Sequence, residues 1–237
     1  MKLSAPIYHL KRNAKQLARE EGIELHVALE RIAVGEGFKS WSLLATKYAS
    51  SSPAMKVYAG LKNGDMMLIG ARPGQGKTLL ALEVAAEAVK SGKRAMFFTL
   101  EYTEDEVLKR LSSLGCEPSQ LGSAFALDCS EQICADYIID RSRSAVPGTV
   151  IVIDYLQLLD QKREHPPLAE QVDALKSFAD ERRVVVVFIS QISRSYDLSG
   201  KRSPDLNDVR LPNPVNLTSF TKTYFVSDGV VHIGAAS

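Results

Sequence analysis

The sequence predicts an α/β fold in which a mainly parallel sheet is covered by helices on both faces. From Met66 onward, short apolar runs alternate with longer segments of helical periodicity. The apolar runs, such as VVVVFIS at 184–190, lack polar residues at alternate positions, as expected of strands buried on both faces. The composition, 45% hydrophobic and 24% charged in 237 residues, is that of a chain with a packed core.

Residues 1–50 are predicted to form a small helical segment that precedes the sheet. Apolar residues recur there at helical spacing in three stretches, and glycines separate the stretches. We interpret the segment as a cap packed on the main domain through Trp41. A helix-turn-helix-like unit over residues 16–32, contacting DNA or a partner, is the alternative, and its acidic residues weaken the DNA version.

Residues 66–237 are predicted to form the main domain, which residues 51–65 join to the helical segment as a linker. The predicted strands lie at 66–70, 94–100, 123–129, 149–154 and 184–190, and the helices at 76–91, 103–115, 131–145 and 168–183. The stretch 192–216 is polar and contains prolines, which predicts a long exposed loop. Asp228-Gly229 between two apolar runs predicts a C-terminal hairpin.

Charge and cysteine content narrow the class of protein. A net charge of +1 provides no overall field for nucleic acid, so a basic surface would have to be local. Cys116, Cys129 and Cys134 include no C-x-x-C pair and indicate free thiols in a reducing compartment. No apolar run has the length of a signal peptide or a membrane span. We therefore expect a soluble, cytoplasmic protein.

A nucleotide cradle is predicted where the first strand meets its helix. The sequence ARPGQGKT at 71–78 fits the pattern G-x-x-x-x-G-K followed by Ser or Thr, except that Ala71 replaces the first glycine. Backbone amides of such a turn, together with the helix N-terminus, hold phosphate oxygens. Lys77 would reach the β- and γ-phosphates of ATP, and the Thr78 hydroxyl would bind Mg²⁺. The predicted nucleotide-binding residues are Ala71, Arg72, Pro73, Gly74, Gln75, Gly76, Lys77 and Thr78.

Polar side chains also end three other predicted strands. Asp154 could hold Mg²⁺, Glu101 could deprotonate the attacking water, and Gln191 could sense the γ-phosphate. Taken alone, each also fits a plainer role as a turn residue, a charge near a helix N-terminus or a polar residue leaving a strand. Because open α/β sheets bind ligands at the carboxyl ends of their strands, we predict that these side chains converge with Lys77.

The order of these motifs resembles the RecA-like ATPase domain of DnaB-type replicative helicases. In that family an alanine at the first cradle position is typical. The resemblance covers about residues 60–210. The stretches that carry it are ARPGQGKT (71–78), FFTLE (97–101), VIDYLQLL (152–159), FISQISRS (188–195) and KRSPDLNDVR (201–210).

The resemblance implies ATP hydrolysis at the subunit interfaces of a homo-oligomeric ring, usually of six copies, around single-stranded DNA. Carried over to this sequence, it makes Glu101 the catalytic base, Asp154 a metal partner and Gln191 the phosphate sensor, with Lys77 on the phosphates. The loops after the fourth and fifth strands would face DNA, although ordinary solvated charge explains their basic residues equally well. These candidates for DNA contact are Lys162, Arg163, His165, Arg194, Lys201 and Arg202.

The sequence departs from the family pattern in two places. No K-x-R-x-G segment, which carries the family's arginine finger, follows Arg210, so Arg202, Arg210 and Lys222 are the candidates to replace it. The helical collar that binds primase is not recognisable in residues 1–50. A regulatory ATP-binding protein, with slow turnover and a partner bound by the N-terminal helices, therefore stays open as an alternative, and a small-molecule kinase ranks below it.

Overall fold

A sheet of seven strands forms the centre of the computed structural model, which describes residues 3–5, 7–49, 52–114, 116, 118–160, 164–201, 203–211, 213–227 and 229–234. The strand order is β3-β2-β4-β5-β1-β6-β7, and among these described strands only β6 and β7 pair antiparallel. The strands are β1 (Met66–Ala71), β2 (Ala95–Thr99), β3 (Phe125–Asp128), β4 (Val150–Asp154), β5 (Val185–Gln191), β6 (Lys222–Ser227) and β7 (Val230–Ile233).

Helices precede the sheet and connect its strands. They are α1 (Ile7–Glu21), α2 (Leu25–Gly35), α3 (Trp41–Ala49), α4 (Pro53–Ala59), α5 (Lys77–Lys90), α6 (Glu104–Ser113), α7 (Pro118–Leu121), α8 (Ala135–Arg141) and α9 (Leu168–Arg182). Across the described part of the chain, none is both long and apolar enough to span a membrane.

The sheet is buried on both faces, which confirms the predicted fold class. Successive strand residues point to opposite faces. On one face, Met67 and Ile69 belong to a core that includes helix α5. On the other face, Leu68 and Phe188 pack in a second core with helix α9. The unbroken apolar runs in the sequence are explained by these two layers of helices.

The segment 51–65, predicted as a linker, contains a helix. Helix α4 starts with Pro53, a residue that suits the first helical position because its fixed φ matches the helix. Ala54 and Val57 are fully buried in the core that α5 also enters. A seven-residue helix has little stability of its own, so this burial is what holds it in place.

The stretch 192–216 is attached to the sheet rather than fully exposed as predicted. Ile192 and Val209 form an isolated β-bridge and are both buried. Short 3₁₀ turns at Arg194–Leu198, Leu206–Asp208 and Leu217–Ser219 shape the rest. The predicted C-terminal hairpin is present as β6 and β7, with Gly229 at a φ of 73°. Its other turn residue, Asp228, lies outside the described residues.

Candidate nucleotide site

The turn between β1 and α5 has the backbone shape that its glycines predict. Gly74 and Gly76 have φ values of 78° and 86°, in the left-handed region that residues with a Cβ rarely adopt. The N–H of Gln75 donates to the Arg72 carbonyl at 3.2 Å, which closes the turn. Helix α5 then begins at Lys77, so the turn ends at a helix N-terminus, where anions are favoured.

Ala71 is accommodated because it is the last residue of β1 rather than part of the turn. It pairs with Gln191 on β5 and Val226 on β6, and its methyl group is buried in the core beneath α5. The neighbouring Gly70 is the position that tolerates no side chain, since a Cβ there would lie 2.8 Å from the ring of Phe225. The substitution in the pattern therefore fits the packing of the strand.

Four of the predicted site residues come together at the carboxyl edge of the sheet. Lys77 and Thr78, in the first turn of α5, are nearly buried, and the Lys77 ammonium lies 3.8 Å from Glu101 Oε2. Asp154 ends β4 directly beside Thr99 of β2, two residues before Glu101. Charges on Lys77 and Glu101 both act on the Asp154 carboxylate. The site thus combines one cation, two carboxylates and a hydroxyl.

Asp154 is held in an environment that disfavours its charge. Burial raises the pKa of Asp154 to about 7, with a further contribution from Glu101, while Lys77 and the Thr78 hydroxyl act in the opposite direction. Both carboxylate oxygens are buried, and neither has a hydrogen bond of ordinary geometry within the described part of the structure. A buried carboxylate without a partner is costly, so this group is suited to bind a cation.

Gln191 lies at the same edge and is tied to the stretch that follows Asp208. The N–H of Arg210 donates to the Gln191 carbonyl at 2.8 Å, and Arg210 Nη1 lies 3.5 Å from Gln191 Oε1. Gln157 donates to Ser190 Oγ at 2.9 Å and to the carbonyl of Arg210. No role was predicted for Gln157, although a polar residue so soon after an apolar strand was an available signal. It joins the ends of β4 and β5.

The predicted DNA-contact residues are only partly described. Arg194 is exposed in the 3₁₀ turn after β5. The Lys201 ammonium is bound to Asp205 at 2.8 Å and to Asp208 at 3.0 Å, and these bonds raise its pKa. His165 is half-buried, with no hydrogen bond to Nδ1 from the described residues. Lys162, Arg163 and Arg202 lie outside the described residues.

A cavity of about 480 Å³ adjoins the cradle on the side of β5. It lies between the turn after β1, the end of β5 and the stretch at residue 210, so it shares Gln191 with the site above. Its three arginines make it strongly cationic. The lining residues are Arg72, Pro73, Gln191, Ile192, Ser193, Arg194 and Arg210.

Comparison with known proteins places this edge in a family. A family model described as DnaB-like helicase C terminal domain matches residues 54–122 and 124–215. A probable plasmid replicative DNA helicase of Chlamydia psittaci is 28% identical over 182 residues, covering 63% of this chain and 40% of that protein. The replicative DNA helicase DnaB of Leifsonia xyli subsp. xyli is 30% identical over 182 residues, covering 64% of this chain and 40% of that protein.

Solved structures show the same fold. A helicase ATPase domain superimposes with a TM-score of 0.59 at 21% identity, covering 78% of this chain and 81% of that chain. The predicted RecA-like architecture is thereby confirmed. The chain spans about two fifths of the length of the two helicases, since 40% of each is matched.

Proposed function

This chain belongs to the family of DnaB-like helicase C-terminal domains, and on that premise we propose that it binds ATP with Mg²⁺ and hydrolyses it while contacting single-stranded DNA. The observation that carries the proposal is the convergence of Lys77, Thr78, Glu101 and Asp154 beside a glycine turn. A purely structural turn would have no reason to gather a nearly buried lysine and a fully buried carboxylate at one sheet edge.

The triphosphate would lie along the turn between β1 and α5. Backbone N–H groups of the turn and the N-terminus of α5 favour anionic oxygens, and Lys77 adds a full charge beside them. The family resemblance assigns the remaining cradle residues, Arg72, Pro73 and Gln75, to the same loop. Because Lys77 is nearly buried, its charge acts there with little screening by water.

Mg²⁺ fits the oxygen donors that the site offers. The two buried Asp154 oxygens without partners and the nearby Thr78 hydroxyl are hard ligands of the kind this ion prefers. No group of three His, Cys, Asp or Glu side chains able to hold a metal occurs among the described residues, which suits an ion that is usually held by one or two carboxylates together with phosphates. The bound ion would neutralise charge on the β- and γ-phosphates.

Glu101 is the proposed general base and Gln191 the proposed sensor of the γ-phosphate. The Glu101 side chain is 32% exposed, so water reaches it, and it is 3.8 Å from the Lys77 ammonium that would contact the same phosphate. Gln191 ends β5 beside Ala71, where the cradle begins, and is bonded to the stretch at Arg210. A change at the γ-phosphate would therefore be felt in that stretch.

Single-stranded DNA is the proposed second ligand, held by the loops after β4 and β5. Of the basic candidates, Arg194 is exposed and unburdened by an ion pair among the described residues, whereas Lys201 is bound by two carboxylates. We expect Arg194 to contribute more than Lys201. The loop after β4 carries the other candidates, Lys162 and Arg163.

A homo-oligomeric ring is the proposed working form, since the family resemblance places a cation from a neighbouring subunit at each site. Arg210 is exposed at the rim of the site and, with Lys222, is a described candidate for that cation. The alternative of a regulatory protein with slow turnover is not favoured by the comparisons with replicative helicases.

The test is the rate of ATP hydrolysis measured with and without single-stranded DNA. We expect DNA to stimulate the wild-type rate and Lys77→Ala to lower it at least about 100-fold. Lys90→Ala, at the other end of the same helix, is the control and should stay within about twofold, because its partner is the surface residue Glu87. A wild-type protein that hydrolyses no ATP with any single-stranded nucleic acid would contradict the proposal.

A further inference from the structure

One guanidinium joins the nucleotide turn to the segment after β5. Arg72 Nε donates to Asp197 Oδ1 at 3.1 Å, and Nη2 lies 2.9 Å from Asp197 Oδ2. Arg72 Nη1 donates to the backbone carbonyl of Ile192 at 3.0 Å. The two side chains are 125 positions apart in the sequence, and their contact is the bidentate arrangement that fixes an arginine against a carboxylate most firmly.

The two ends of this contact have different mechanical support. Ile192 is buried and its N–H bonds the Ala71 carbonyl at 3.0 Å, so the carbonyl that Arg72 grips belongs to the sheet itself. Asp197 lies in the 3₁₀ turn Arg194–Leu198, which protrudes so far that Leu198 is 91% exposed. Arg72 is therefore fastened to a rigid strand on one side and to an exposed turn on the other.

The Arg72–Asp197 pair is better suited to set a position than to add stability. The Arg72 side chain is 24% exposed and that of Asp197 is 50% exposed. Ion pairs this open to water contribute little to the free energy of unfolding. A guanidinium held by three directed contacts nevertheless has one orientation, and the turn that carries Arg194 is held by it.

We propose that Arg72 is a positioning residue that couples the nucleotide turn to the segment 193–199, which we call the β5 turn. The proposal rests on the proposed function, because it needs ATP at the cradle and DNA at the β5 turn. Arg72 is the first residue after β1, so a shift of the cradle on phosphate binding moves its guanidinium and, through Asp197, the β5 turn. Asp197 would therefore transmit nucleotide occupancy without touching the nucleotide.

The first experiment measures amide hydrogen exchange in the full chain, with and without Mg²⁺ and a non-hydrolysable ATP analogue. In the wild type, the analogue should change exchange in the β5 turn at least about threefold. In Asp197→Asn that change should disappear, while the dissociation constant of the analogue stays within about threefold. Asp197→Glu, which keeps the carboxylate, should restore it.

The matched control is Asp140→Asn, which breaks an exposed ion pair of 2.8 Å with Arg143 on helix α8. It should leave the nucleotide effect on the β5 turn unchanged. If the analogue binds but leaves exchange in the β5 turn unaltered in the wild type, or alters it equally in Asp197→Asn, the coupling role is wrong. If the analogue does not bind at all, the proposed function falls and the coupling falls with it.

The second experiment measures the factor by which single-stranded DNA stimulates ATP hydrolysis. Asp197→Asn should lower that factor about five- to tenfold and leave the rate without DNA within about twofold, because Asp197 lies outside the catalytic group. A merely structural role would lower both rates together. Equal stimulation in Asp197→Asn and the wild type would overturn the proposal while leaving the proposed function intact.

Discussion

At the scale of single residues, the two carboxylates of the site differ in their contact with water. Asp154 is completely buried, and burial raises its pKa to about 7. Glu101 is partly exposed and pairs with the Lys77 ammonium. A carboxylate without water around it gains most from a cation, whereas one that water can reach is able to take a proton from it. Their environments therefore divide the two proposed roles.

Glu101→Gln tests the proposed base, because it keeps the size of the side chain and removes only its ability to accept a proton. We expect ATP turnover to fall about 10²- to 10⁴-fold. ATP binding should be kept or strengthened, since the Lys77 ammonium loses its carboxylate partner. Single-turnover hydrolysis and nucleotide titration measure the two effects separately.

The control for this change is Glu104→Gln, in the first turn of α6, three positions further on and directed to solvent. It should retain turnover within about twofold. A Glu101→Gln protein that keeps more than a tenth of the wild-type turnover would show that another group accepts the proton.

The strand-end residues were predictable because each follows an apolar run, and the carboxyl ends of parallel strands share an edge. The bond from Gln157 to Ser190 and the pair of Arg72 with Asp197 were not predictable in this way. Both join side chains far apart in the sequence, and their partners depend on how the segment 192–216 returns to the sheet.

At the scale of elements, helix α5 connects the cradle to the N-terminal helices. Lys77 begins the helix, and Glu83, Glu87 and Lys90 follow on later turns. These three line a cavity of about 280 Å³ that also includes residues of α1 and α3, among them Trp41. The end of α5 far from the cradle thus faces the helical segment that precedes the sheet.

Glu83→Gln is predicted to stabilise the protein above neutral pH. Burial is the main cause that raises the pKa of Glu83 from 4.5 to about 7, with Glu87 adding to it and Lys90 opposing it. The penalty for the charged form is absent below pH 4.5, grows as pH rises towards 7 and is complete above that. Urea denaturation should show a gain of about 1–3 kcal/mol at pH 8 and almost none near pH 4.5.

Glu87→Gln is the control on the same helix. Glu87 is paired with Lys90 at 2.7 Å, so its charge is compensated and its removal should bring no gain at pH 8. A Glu83→Gln protein that is less stable than the wild type at pH 8 would show that the Glu83 carboxylate is stabilised by a partner rather than penalised by burial.

Long elements were predictable and short ones were not. The strands and the helices α5 and α9 follow from periodicity over many residues. Helix α4 and the 3₁₀ turns after β5 have too few residues for a period to be recognised. Their conformation comes from burial of single residues such as Val57 and Ile192, which only the folded chain reveals.

At the scale of the whole molecule, one edge of the sheet carries all the proposed chemistry. The cradle after β1 and the proposed DNA-facing segments after β4 and β5 lie on neighbouring strands, in the order β4-β5-β1. One subunit could bind both ligands through this edge. The ring proposed from the family makes a further claim, namely that the subunits depend on one another for turnover.

Mixing active and inactive subunits tests that dependence. Wild-type protein and Glu101→Gln protein are mixed before ATP and single-stranded DNA are added, and the rate is measured as the inactive fraction increases. Independent subunits would lose activity in proportion, keeping half the rate in an equal mixture. A six-membered ring that one inactive subunit stalls would keep only about 2%. We expect a steep loss, because a neighbour's cation is proposed at every site, and Glu104→Gln subunits as the diluting partner should cause none. A linear decline, together with a solution mass that stays monomeric when ATP and DNA are present, would reject the coupled ring while leaving ATP hydrolysis by the single chain untouched.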